Sequence, residues 1–98
     1  MQEELNNILQ FIKNVQDNNN LGNDNIKLKH LYKELSKIQK KLPSEKRLEE
    51  IQRLEIDLEI KHDCLNELSY YFDPLYIKIK NAIHKKNVEK LRNKNKKN

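Results

Sequence analysis

The chain has 98 residues, 36% apolar and 36% charged, with a formal net charge of +5. That length suits one domain, and its 28 Leu, Ile, Val and Phe residues suffice for a narrow core without a deep ligand cavity. A single Gly, two Pro, no Thr and two Val argue against strands, and the ten Ile fall at helical spacing, so the fold class is all-α.

Helix one is predicted from about Gln2 to Asp17. Leu5, Ile8, Leu9, Phe11, Ile12 and Val15 share one side, while Glu3 and Glu4 suit the positive end of the helix dipole. Asn18 to Asn25 breaks the pattern. Gly22 can turn left-handed there, and Asn23, Asp24 or Asn25 can cap the next helix. Helix two, about Asn25 to Leu42, carries Leu28, Leu31, Tyr32, Leu35, Ile38 and Leu42 as one stripe, with Lys29, Lys33, Lys37 and Lys40 opposite. Pro43 stops it, and Ser44 is a natural N-cap for helix three.

Helix three is expected to be the longest, about 44–72. Ile51, Leu58, Leu65 and Phe72 recur every seven residues with Leu54 and Leu68 beside them, and Ile56 and Ile60 fall on the opposite side. A helix that wets one face needs a single stripe, so the second one needs its own cover. A central helix of a small bundle can find that cover within its own fold. Acidic neighbours, among them Asp63 and Glu67, instead give Ile56 and Ile60 the look of a partner-binding spot. Asp73 as N-cap with Pro74 at the first helical position predicts the start of helix four, striped by Leu75, Tyr76, Ile79, Ala82 and Ile83. Tyr70, Tyr71, Phe72 and Tyr76 cluster at that boundary and are expected to plug the end of the bundle.

The expected architecture is a small antiparallel bundle of about four helices over 1–84, followed by a basic, flexible arm over 85–98. An extended hairpin ordered only as a coiled-coil oligomer is the alternative. Charge alternates in blocks: net −3 over 1–26, +5 over 27–42, −5 over 43–77 and +8 over 78–98. Adjacent helices thus attract at their rims. In the arm, Lys85, Lys86, Lys90, Arg92, Lys94, Lys96 and Lys97 can contact a polyanion such as RNA through its phosphates. Without an aromatic residue to stack on bases and with a single Arg, such contact would be electrostatic and weakly selective.

Seventeen Lys against three Arg, with 14 Asn, fit an AT-rich coding sequence, which also accounts for the Asn18–Asn20 tract. Cys64 is alone, so a reducing compartment is expected. No apolar run is long enough to span a membrane, and Met1 to Leu9 has no basic, apolar signal pattern, so residence in the cytoplasm or nucleus is expected. His30, His62 and His84 are scattered, no local His accompanies Ser36, Ser44 or Ser69, and one Gly makes no phosphate loop. No catalytic site, metal or cofactor is expected.

Two families invite comparison. Leu31-Tyr32-Lys33 followed by Glu34-Leu35 resembles the opening of LYR-motif proteins, small helical partners in mitochondrial assembly. The match covers five residues, puts Lys33 where the motif has arginine, and coincides with the stripe of helix two. In size, Lys content and four-helix layout the chain is similar to immunity proteins of pediocin-like bacteriocins, which would imply toxin neutralisation, but no motif is shared. The function expected from the residues is a non-enzymatic subunit, adaptor or inhibitor that binds another protein, or a second copy, through a helical face. An RNA- or ribosome-associated role for the arm is the rival.

Overall fold

The computed structural model describes residues 1–96. Among them it contains α1 (Gln2–Asn18), α2 (Asp24–Ile38), α3 (Glu45–Lys61), a 3₁₀ turn (Asp63–Leu65) and α4 (Leu68–Lys96), and no strand. Each helix packs on its chain neighbours, and α4 returns to α1, closing a ring of four. All four seams are antiparallel. Gln39 beside Asn6 marks α1/α2, and Asp24 beside His62 with Glu34 beside Arg47 marks α2/α3. Ser69 beside Glu55 marks α3/α4, and Lys78 beside Glu4 with Phe11 against Tyr71 marks α4/α1.

The interior is built from the expected stripes. Leu5, Ile8 and Ile12 of α1, Leu28, Leu31 and Leu35 of α2, Leu48 and Leu58 of α3, and Leu68, Phe72, Leu75 and Ile79 of α4 are all fully buried. Ser44 caps α3 by accepting the Arg47 backbone N–H at 3.1 Å. Between α1 and α2, Gly22 takes φ +60° and its N–H donates to the Asn20 side chain at 3.0 Å. The asparagine tract thus does local turn work, which lets Leu21 fold inward as a buried plug.

The third helix is not the longest. The chain breaks at His62, whose backbone is extended at φ −131° and ψ 117°, and α4 is the longest helix at 29 residues. Folding back there places Leu65 in the bundle end, and it lets Leu68, Phe72 and Leu75 face the stripe that precedes them. A straight helix could not bury both halves against each other. The break is pinned by His62 Nε2 at 2.7 Å from the Asp24 carboxylate. The turn itself is closed by backbone bonds, from the Leu65 N–H to the His62 carbonyl at 3.0 Å and from the Asn66 N–H to the Asp63 carbonyl at 3.1 Å.

The predicted start at Asp73-Pro74 is likewise displaced. Pro74 lies inside α4, whose first turn begins at Leu68. Its missing N–H frees the Tyr70 carbonyl, and both residues are exposed, where water can serve that carbonyl. Leu68, Phe72 and Leu75, buried where α4 packs between α1 and α3, outweigh the local stop signal. Tyr70, Tyr71, Phe72 and Tyr76 therefore line the first turns of α4 instead of a boundary. Phe72 is buried, Tyr71 stacks on Phe11 at 5.0 Å, and Tyr70 is exposed.

Past Ile83, after which residues 84–92 are all exposed, α4 continues as helix to Lys96. A 29-residue helix is about 43 Å long, against about 23–26 Å for the others. The molecule accordingly measures 58 × 23 × 19 Å. No helix among the described residues is long and apolar enough to cross a membrane.

Candidate functional site

One side of α3 faces the core through Leu48, Ile51, Glu55 and Leu58. The other side faces water. Ile56 is 43% exposed and Ile60 is 79% exposed, one helical turn apart on the same face. Leu54 is half-buried against the core and does not belong to this face. Exposed Glu49 and half-buried Glu59 border the two isoleucines. Asp57 is occupied, held by Lys61 at 3.2 Å and Lys27 at 3.8 Å.

Asp63 and Glu67 sit differently from the helical register assumed for them. Because α3 ends at Lys61, Asp63 opens the 3₁₀ turn and Glu67 directly precedes α4. Both are exposed beyond the end of α3. The acidic rim is therefore formed partly by the helix and partly by the turn after it.

Behind this face lies a feature not anticipated from the sequence. Glu55 is 1% exposed, within the apolar row of α3. Its Oε1 is 3.2 Å from Ser69 Oγ, and the same hydroxyl also contacts Glu59 Oε2. Burial, reinforced by the neighbouring Glu59 and Asp73 charges and opposed by Ser69, pushes the Glu55 carboxyl up from 4.5 to about 7. Ser69 has one proton and can donate to a single carboxylate. Once Glu55 takes up its proton it can itself donate to Ser69, leaving the hydroxyl proton to Glu59. The sequence signal was available: Glu55 falls four residues after Ile51 and three before Leu58, a polar residue in a core position.

Glu34 is the second buried acid and has the opposite character. It lies in the stripe of α2, and Arg47 holds both its oxygens, Nη2 to Oε1 at 2.6 Å and Nε to Oε2 at 3.2 Å. Lys37 adds a contact at 3.4 Å. Burial alone would raise this carboxyl, but Arg47 and then Lys37 outweigh it and hold it below its ordinary value. This network ties α2 to α3 and leaves no free polar group for chemistry.

Of the basic residues singled out from the sequence, Lys85, Lys86, Lys90 and Arg92 are exposed on α4. Lys94 and Lys96 belong to the same helix, and Lys97 lies outside the described residues. Among the described residues, Lys85, Lys86, Lys90 and Arg92 form no ion pair, and no group of three or more His, Cys, Asp or Glu could hold a metal. Cys64 is half-buried as a free thiol. The surface depressions are open grooves, such as one of about 420 Å³ between Leu42–Glu45 and Lys86–Lys90. Compared with protein-family models, curated proteins and solved structures, the chain has no significant match.

Proposed function

We propose that this protein is a non-enzymatic interaction module, a subunit, adaptor or inhibitor, that buries the outward face of α3 in a partner protein. The exposure of Ile56 and Ile60, on a helix whose other side is fully packed, carries the reading. Burying two such side chains contributes about 3–5 kcal/mol. The acidic rim from Glu49 and Glu59 to Asp63 and Glu67 would select a partner surface bearing Lys or Arg, setting orientation and encounter rate more than affinity.

The test is the double substitution Ile56→Asp/Ile60→Asp. Helicity and melting should stay close to the parent's, while capture of a protein partner from native lysate, retained by the parent after nuclease treatment, is lost. If the double variant unfolds, these residues are core and the proposal fails. Contact of the α4 arm with RNA is the second reading, supported by the run of exposed Lys85, Lys86, Lys90 and Arg92, which form no ion pair among the described residues. It requires association that falls steeply with salt and disappears when 85–98 are deleted.

A further inference from the structure

The outward side of α4 bears a second apolar ridge, independent of the α3 face. Tyr70 is 77% exposed, Ile77 59%, Val88 38% and Leu91 63%. On a single helix these residues fall into heptads. Tyr70, Ile77, His84 and Leu91 are spaced by seven, and Pro74, Asn81 and Val88 each lie four residues further on, which is the d and a seam of a coiled coil. The seam points away from Leu68, Phe72, Leu75, Ile79 and Ile83, the row that packs into the bundle. It also runs onto the part of α4 beyond Ile83. A helix segment without tertiary packing is marginal in water.

Charge indicates what covers the ridge. The positions beside the seam are Lys78, Lys85 and Arg92 along one edge, and Asp73, Lys80 and Asn87 along the other. Lys78 is tied to Glu4 at 2.7 Å, while Lys85 and Arg92 are exposed. An antiparallel second copy would bring the Lys78, Lys85 and Arg92 edge against itself, and a parallel one would set Lys80 against Lys85, like-charge contacts that destabilise a coiled-coil pair. Asn81 and His84 within the seam are polar and would demand a matched partner to fix register. We propose that this ridge docks an acidic amphipathic helix of a partner protein, with Leu or Ile at its own seam and Glu or Asp facing Lys80, Lys85 and Arg92.

The experiment titrates the full chain, observed by NMR, with a synthetic helix of about 21 residues, three heptads, bearing Leu and Ile at its seam and Glu at its flanks. The probe's twin has every flanking Glu replaced by Lys. The acidic helix should bind, perturb residues of α4 between 70 and 92, and weaken at least about tenfold between low salt and about 0.5 M salt. The twin should not bind. Ile77→Glu/Leu91→Glu, both at exposed positions, should keep the parent's melting and lose at least about tenfold in affinity. Lys85→Glu/Arg92→Glu should reverse the preference toward the twin, and Ile56→Asp/Ile60→Asp should bind the acidic helix as the parent does. Several results would overturn the proposal. They are equal binding of both helices, perturbation confined to the bundle interior, or no binding of the acidic helix. Self-association abolished by Ile77→Glu/Leu91→Glu would assign the ridge to a second copy instead. Tighter binding to phosphatidylserine vesicles or to poly(U) than to the acidic helix would assign it to a membrane or to RNA.

Discussion

Replacing Glu55 by Gln should stabilise this protein at alkaline pH and do little in acid. In the folded chain the Glu55 carboxyl titrates at about 7, against an ordinary 4.5. A carboxyl raised on folding binds its proton more tightly in the native state, so its contribution is greatest below about 4.5. Stability then declines as pH rises from there, and the loss is complete above about 7. The difference corresponds to about 3 kcal/mol. Gln fills the same volume, cannot ionise, and can still donate to Ser69. Urea unfolding of the parent and Glu55→Gln at about pH 5 and pH 8 isolates this group, since other carboxylates titrate equally in both. The variant should gain about 2–3 kcal/mol at about pH 8 and remain within about 1 kcal/mol of the parent at about pH 5. A difference that does not change with pH would show that Glu55 is ionised in the fold, and the proton chain through Ser69 would be wrong.

Arg47→Ala should cost about 1–3 kcal/mol near neutral pH, because it strips the buried Glu34 carboxylate of its bidentate donor. As Glu34 is lowered on folding, its contribution is present above the ordinary carboxyl value and is lost as pH falls below it, so the cost of Arg47→Ala should shrink in acid denaturation profiles. Gly22→Ala should lose about 1–2 kcal/mol in thermal unfolding through its positive φ alone, since nothing lies near the added methyl.

Much of the fold was legible because burial follows periodicity. Ile51, Leu58, Leu65 and Phe72 are all buried, as their spacing of seven required, but they belong to two helices and a turn between them. The turn at 62–67 happens to preserve the phase of the stripe, so the pattern carries no sign of the reversal. What fixes it is a contact between distant residues, His62 with Asp24. Asp73-Pro74 misled for the converse reason, being a strong local stop that long-range burial of Phe72 and Leu75 overrides. With the helix boundary misplaced, Tyr70 and Ile77 fell on different helices, and the α4 ridge could not be seen as one line. The isoleucine pair of α3 was legible because both members lie within a single unbroken helix.

The ring is closed by its most distant pieces. Three seams join helices adjacent in the chain, whereas the fourth brings Glu4 against Lys78, 74 residues apart. During synthesis the apolar row of the first helix therefore has only half its shelter until the final helix emerges. A nascent chain of this protein is a sticky hairpin that waits for its own tail, and a ribosome paused in the last third would hold it in that vulnerable form.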